Sequence, residues 1–565
     1  MISKKLQHPL HVYIYRLYLR IIDSLVHRLS YPKRLPQYEP VRPDKHEPVD
    51  AVYTFVDMRA PAWQEKWRSI NAGEITKDRY SNHGELAFSI QLLLKNCPWV
   101  NRIFIVTPTP DFVEISHPKI TVVNDEDIIG LECSRPTFKS CSIESYLHNI
   151  PGLSDYFLYL CDDYFVGRPI DKDCLFDEDG MIKVSMYRKN LSRLFMTKTR
   201  LARRVAENDI VNASRCIYRK FGVQLNLNHR HQMTVVSKDA CVATWELFRA
   251  ELTESVSHPT RDPFGNTVHF IHLSQLLAVL TGAMSLEIVP KRDDVYVHKV
   301  ARDQLAVAMA RVLTTRPTYF CFNYLSNDDA DLFQIFKRLV IQEPPLSNRV
   351  FYVCSFGGSG STMLTRFLGR YGKCFHVHSR RPPEHLTKIR KTDHFPFAEE
   401  WFSEVPVDDP RRYTVIFIYR HPSHAQLAKT GAKGKPVYNP IHHRNIQVSN
   451  PVPESIQDYP EACLTTGKEL LGYEDFYDNY AVLGRNANYD IVCVDYTRLW
   501  ENLEEFFLTI RIDPADIRKF PGKKSGSRHR YDQDLLSRLN EVNHQLSTRI
   551  EQTPPVFLKP GKEIS

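Results

Sequence analysis

Short apolar runs that close on polar residues punctuate the first 170 positions. VDAVYTFVD (49–57) gathers β-branched and aromatic side chains and ends on Asp57. NRIFIVTP (101–108), KITVVNDEDI (119–128) and DYFLYLCDDYF (155–165) repeat the pattern, the last carrying Asp162 and Asp163 near its end. Runs of this kind suit strands buried on both faces. Between them, HGELAFSIQLLLKN (83–96) spaces its apolar residues for a helix. The alternation predicts an α/β layer with a mostly parallel sheet.

A helical pattern ends at the prolines of IQEPPLSN (341–348), and a new strand pattern, RVFYVCSF (349–356), runs into GGSGSTMLTRFLGRYG. Further strands are predicted at YTVIFIYR (413–420) and YDIVCVDY (489–496). Near the start, the prolines of SYPKRLPQYEPVRPDKHEP (30–48) mark an extended linker. The expected division is a basic N-terminal segment and linker (1–48), a first α/β domain (49–345) and a second α/β domain with a parallel sheet (346–565). Residues 8–30 mix apolar, tyrosine and basic positions. They read as an amphipathic helix, lying either on an anionic membrane surface or on the main domain.

Composition narrows the function. The chain has 565 residues and a formal net charge of +8, too mild for a nucleic-acid coat, and it carries no nucleic-acid-binding motif. Its 12 cysteines are scattered without a CxxC pair, which argues against zinc ribbons and a disulfide scaffold. No apolar run reaches the ~20 residues of a membrane span. Cytoplasmic residence is expected, with peripheral contact at the inner membrane face if residues 8–30 bind lipid. Oligomeric state is not readable. Glycine is scarce, at 22 residues, so a cluster of glycines is informative.

In open α/β sheets ligands bind at the carboxyl ends of strands. Asp57, Asp162 and Asp163 stand at such ends, with Glu144 just upstream of the last pair. Carboxylates there suit either helix capping or a hard divalent cation that also meets phosphate oxygens. DAVYTFVD, RYSNHGELAFSIQLLLKNCPWVNRIFIVT and RPTFKSCSIESYLHNIPGLSDYFLYLCDDYFVG resemble the first two regions of the Stealth proteins. These are sugar-phosphate transferases that include capsular-polysaccharide polymerases and the lysosomal-enzyme N-acetylglucosamine-1-phosphotransferase. Residues 228–282 and 318–340 resemble the third and fourth regions, in order.

The resemblance implies transfer of hexose 1-phosphate from a nucleotide sugar to a hydroxyl of a polysaccharide or other glycan, with Mg²⁺ or Mn²⁺. It implies Glu144, Asp162 and Asp163 as metal or acceptor-activating acids. It implies His229, with His231 beside it, as the histidine of the third region and Arg261 as a phosphate clamp. Asp57, Arg79 and Glu85 are implied as donor-binding residues. The sequence departs from the family in three places. The usual Asn-Asp-Asp triplet reads Cys161-Asp162-Asp163, an aspartate–asparagine pair reads Asn82-His83, and an expected acid is Asn266. A basic stretch, Lys183 to Arg204, reads as a solvated face or as a track for an anionic acceptor.

In the second half, strand, glycine turn and helix start form a backbone cradle for anions, without the lysine of a Walker A motif. With Arg420 at a strand end and a late basic loop, FPGKKSGSRHR (520–530), this order resembles sulfotransferases that use 3′-phosphoadenylyl sulfate. The resemblance implies a P-loop-type domain in which Gly358, Ser359, Gly360, Ser361 and Thr362 hold the 5′-sulfophosphate. Arg420 would hold the 3′-phosphate, and Lys523 and Lys524 would close over the nucleotide. The serine usual after the arginine is Ala428 here, and the basic residue that often precedes the turn is Gly358. Two readings follow: a phosphotransferase that also sulfates glycan, or one whose second domain only binds nucleotide or anionic glycan.

Overall fold

The computed structural model describes residues 44–70, 82–189, 205–260, 267–290, 295–323, 325–342, 347–389, 405–430, 459–470, 472–482, 487–523 and 533–561. Residues 8–30, Arg79, Arg261, Asn266, Lys524 and the body of the basic stretch lie outside them. The described residues fall into two compact units. One reaches to Lys299 and includes Arg316–Asn327; the other comprises Val300–Thr315 and the chain from Asp328 onward. Both are mixed α/β.

The first unit is built on strands β1 (Asp50–Thr54), β2 (Ile103–Thr107), β3 (Ile120–Asn124) and β4 (Tyr156–Cys161). Three further short strands follow: β5 (Tyr164–Val166), β6 (Lys183–Arg188) and β7 (Leu227–His229). The last four are β8 (Thr234–Ser237), β9 (Ser285–Ile288), β10 (Val295–His298) and β11 (Tyr319–Asn323). The main sheet runs β3-β2-β1-β4-β8, parallel except for the antiparallel edge β8. Small three-stranded sheets, β10-β11-β5 and β7-β6-β9, complete the unit. The predicted strand 155–165 is two strands in two sheets. Asp162 and Asp163 form the turn at which the chain leaves the main sheet, because two adjacent carboxylates cannot be carried through a sheet interior buried on both faces.

β1 and β2 are buried along almost their whole length, and the helix Glu85–Asn96 buries Leu86, Ile90 and Leu93 in the same core. Register at the central strands is tied by one carboxylate. Asp50 is fully buried and accepts from Asn101 Nδ2 at 2.8 Å, from an Arg102 guanidinium nitrogen at 3.0 Å and from the Ser154 N–H at 3.0 Å. It therefore joins the start of β1 to the segments that lead into β2 and β4. Burial pushes its carboxyl up, yet the Ser154, Arg102 and Asn101 hydrogen bonds hold it below the ordinary value.

The second unit is a sheet of β12 (Arg349–Cys354), β13 (Gly372–Val377), β14 (Tyr413–Tyr419), β15 (Ile491–Asp495) and β16 (Val556–Lys559). Its order is β13-β12-β14-β15-β16, parallel but for β16. Two helices that precede residue 345 belong to this unit, Arg302–Thr315 and Ala330–Gln342. Arg302 is anchored to Glu505 at 2.5 Å and to Asp331 at 2.8 Å, and Arg338 grips Asp490 with two bonds. The compact units therefore do not follow chain order alone.

Replacing Asp50 by Asn keeps the shape and removes the charge from these bonds. A loss of about 1–3 kcal/mol is expected, read as a lowered urea midpoint for the first unfolding transition. An unchanged midpoint would show that the ties across β1, β2 and β4 do not depend on the charge.

Candidate active site

In the main sheet β1 leads outward to β2, whereas β4 lies on the opposite side of β1, so adjacent strands diverge at their carboxyl ends. Such a switch point opens a crevice. Thr54 and Cys161 are partners in register there, and Asp57, Asp162 and Asp163 follow directly.

Asp57 is fully buried and engaged. Arg59 reaches it at 2.7 Å, and Asn82 Nδ2 donates to it at 3.1 Å. Burial raises its carboxyl, but the Arg59 bonds and Asn82 outweigh this and leave it below the ordinary range. Asn82, one of the departures from the Stealth pattern, thus takes part in fixing Asp57. Glu85 opens its helix and accepts from the His83 N–H at 2.5 Å; Gly84 before it adopts a left-handed conformation, φ 87°.

Asp162 and Asp163 are half-buried. Burial and the charge of Glu85 push the Asp162 carboxyl well above the usual range. Burial and the charge of Asp162 do the same to Asp163, against the pull of the Cys321 thiol and Asn323. Cys321 Sγ lies 3.5 Å from Asp163 Oδ2. Glu144 is buried and accepts from Tyr159 Oη at 3.0 Å, and Tyr159 Oη is in turn 3.1 Å from Thr54 Oγ1. The acids converge on Cys161, whose thiol is pushed up first by burial and then by the charges of Asp163, Glu144 and Asp162.

Among the described residues no group of three or more His, Cys, Asp or Glu side chains is placed to hold a metal ion. The donor set has the chemistry of a magnesium-type site nonetheless. Mg²⁺ is held by one or two carboxylates, with substrate phosphates and waters completing the shell. Two neighbouring carboxylates, each disfavoured as an anion by its surroundings, fit that role. Glu144, turned to Tyr159, is not grouped with them as a ligand.

His229 belongs to a cluster of imidazoles. Its ring centroid lies 4.5 Å from His269, 5.4 Å from His272 and 6.4 Å from His231. His231 Nδ1 is 2.9 Å from Tyr164 Oη, on the residue after Asp163. Burial, followed by the neighbouring imidazoles and Lys189, holds His229 well below its ordinary value, and burial with His229 and Lys189 does so for His272. His269 and His272 stand one helical turn apart at the start of the helix Phe270–Thr281. That spacing was the one readable signal for residues not singled out from sequence; Tyr159, Tyr164, Cys321 and Asn323 carry none beyond strand alternation.

In the second unit the glycine turn follows β12, and Arg420 follows the adjacent β14. Connections from these strands also diverge, so the turn occupies a second switch point. Gly358 and Gly360 have φ of 68° and 78°, and a side-chain carbon on Gly360 would fall 2.1 Å from the Tyr496 ring. Ser359 and Ser361 are buried, whereas Thr362 is exposed on the first turn of the helix Ser361–Leu368. Arg420, 8% exposed, donates to the Gly358 carbonyl at 2.7 Å, while its Nε has no hydrogen-bond partner among the described residues. Lys523 donates to the Thr497 carbonyl at 3.1 Å and stands over Trp500.

Residues 79–184 match the family model described as Stealth protein CR2, conserved region 2. The chain is 40% identical to an exopolysaccharide phosphotransferase of Streptomyces coelicolor over 146 residues, 25% of each chain. It is 30% identical to the capsular polysaccharide phosphotransferase fcs1 of Haemophilus influenzae over 244 residues, 41% of this chain and 66% of the relative. The matched part thus spans a quarter of the first relative and just under two thirds of the second. Among solved structures, the galactosyltransferase LgtC with donor and acceptor sugar analogues aligns over 52% of this chain and 95% of its own, at 11% identity and a TM-score of 0.26. Capsular and exopolysaccharide phosphotransferases are therefore homologues of part of this chain. No helix among the described residues is long and apolar enough to cross a membrane.

The imidazole cluster sets a pH dependence. An unfolded histidine titrates near ~6.5. Above that value His272 is neutral in both states and contributes nothing; below it the unfolded chain takes up the proton first, so stability falls as pH falls. His148, pushed down to about 4 by burial and Lys238, adds to the same slope. The denaturation midpoint is expected to drop between pH ~7 and ~5, and His272→Leu should flatten the slope. An equal slope in that variant would remove His272 from the account.

Proposed function

We propose that the first unit transfers a hexose 1-phosphate, for example an N-acetylhexosamine 1-phosphate, from a nucleotide sugar to a hydroxyl of a growing polysaccharide. The observation that carries this reading is the Asp162–Asp163 turn at the sheet's switch point, inside the residues that match Stealth conserved region 2. The acceptor oxygen attacks the phosphorus next to the sugar. The bond from that phosphorus to the bridging oxygen breaks, and the nucleoside monophosphate leaves with the electron pair.

Asp162 and Asp163 would hold Mg²⁺ or Mn²⁺, which supplies neutralising charge for the pyrophosphate. The protein's own residues do the rest. Asp57, fixed by Arg59 and Asn82, and Glu85 shape the donor side of the crevice. His229, which burial keeps neutral, is proposed to accept the acceptor's hydroxyl proton as the family resemblance implies, although the same burial weakens it as a base. Arg79 and Arg261 are proposed to meet the phosphates, as the family resemblance implies.

A second reading concerns the second unit, favoured by the buried Arg420 at the glycine turn. There the protein would bind 3′-phosphoadenylyl sulfate and pass its sulfuryl group to glycan. Alternatively, the same cradle would bind nucleotide or anionic glycan without catalysis.

With Mg²⁺, a panel of nucleotide sugars and a glycan acceptor, the protein should release nucleoside monophosphate. The Asp162→Asn/Asp163→Asn double variant should lose at least about a hundredfold in rate. Release that persists unchanged in it would place the chemistry elsewhere. For the second unit, labelled donor should pass its sulfate to glycan, and Arg420→Ala should abolish the transfer. Tight nucleotide binding without any label on glycan would select the non-catalytic alternative.

A further inference from the structure

Beside the acid pair the first unit carries a row of rings that phosphate chemistry does not use. Strand β10 alternates buried and exposed residues, so Tyr296 and His298 share its outer side while Val295 and Val297 point inward. Tyr296 is 47% exposed, on an edge strand. The His231 ring lies 5.1 Å from it and the His298 ring 6.4 Å, each within 20° of parallel.

This row is continuous with the acids. Tyr296 stands opposite Cys321 on β11, and Cys321 stands opposite Tyr164 on β5. Residues opposed in a ladder project from the same face, and neighbouring strands are ~4.8 Å apart. Cys321 touches Asp163, and Tyr164 is bonded to His231. The rings therefore begin one strand away from a residue in contact with the acid pair.

An exposed aromatic row on an edge strand is a liability unless it is used. Its chemistry suits a sugar. A pyranose presents an apolar C–H face, which packs on an aromatic ring, and a rim of hydroxyls, which imidazole nitrogens can bond as donors or acceptors. A phosphate has no use for the apolar ring face. The position on a strand that is at the sheet's edge among the described residues also suits a polymer that continues beyond the site.

We propose that Tyr296, with His231 and His298, is an acceptor subsite that holds a sugar ring of the glycan beside Asp163. The identity of the transferred group rests on the phosphotransferase reading; the binding does not.

The test measures binding without turnover. Full-length protein is passed over an array of neutral and phosphodiester-linked oligosaccharides, and the affinities of uridine and cytidine nucleotide sugars are measured by calorimetry. The wild type should retain at least one oligosaccharide. Tyr296→Ala should weaken that binding about tenfold, Tyr296→Phe should keep it, and nucleotide-sugar affinity should not change. Circular dichroism checks the fold, and His298→Ala is read the same way should Tyr296→Ala unfold. The proposal is overturned if the wild type retains no oligosaccharide, if Tyr296→Ala binds as the wild type does, or if the loss falls on the nucleotide sugar. Absence of nucleoside monophosphate release, with tyrosine-dependent glycan binding intact, would sink the phosphotransferase reading alone.

Discussion

Asp162 and Asp163 are consecutive residues in a two-residue turn, half-buried, and their charges repel. Two carboxylates so placed resist ionising together unless something positive joins them. Much of the first unit can be read as the accommodation of that pair. The chain leaves the main sheet at the pair, so neither carboxylate has to cross a buried layer. Cys321 and Asn323, from a strand more than 150 residues downstream, lend hydrogen bonds to Asp163. Cys161 stands where the resemblance to Stealth proteins implies an asparagine. Burial and three nearby acids keep its thiol protonated, so the change adds no negative charge to a place already crowded with it.

The neutral state of His229 and His272 belongs to the same logic. His229, His269 and His272 crowd within ring-contact distance, and no two of them can be charged together cheaply. Burial keeps His229 and His272 neutral. A neutral imidazole is the form that accepts a proton, and it brings no cation that would compete for the carboxylates. The connection runs through His231 and Tyr164, which join the cluster to the residue next to Asp163. Acid pair and imidazoles thus form one polar region spanning two sheets and a helix start.

How much of this was legible in the sequence depended on the kind of signal. The strand ends with Asp57, Asp162 and Asp163 were readable because buried parallel strands are apolar runs, and a carboxylate ends such a run visibly. The break inside DYFLYLCDDYF was not. Its flanks are equally apolar on both sides, and only the second sheet, completed by β10 and β11, separates them. Arg302–Thr315 and Ala330–Gln342 lie before residue 345, the expected boundary, yet belong to the second unit. An amphipathic helix does not record which core its apolar face will join; here the anchors Glu505 and Asp490 lie far downstream. Tyr296 was invisible for the same reason, since its meaning comes from standing opposite Cys321.

The glycine turn of the second unit differs from the sulfotransferase pattern in its side chains. The lysine of a Walker turn is missing, and the residue before Ser359 is Gly358. Yet a side chain on Gly358 would press to 2.7 Å of Ala428 Cβ and 3.2 Å of the Ala425 carbonyl. The turn therefore packs directly on the helix Pro422–Thr430, and a basic residue at 358 would not fit without moving it. The two departures from the sulfotransferase pattern, Gly358 and Ala428, are thus a single packing arrangement: each is small because the other is close. Positive charge reaches the turn instead through Arg420, whose guanidinium meets the Gly358 carbonyl. The guanidinium is buried against that carbonyl, and its Nε has no hydrogen-bond partner among the described residues.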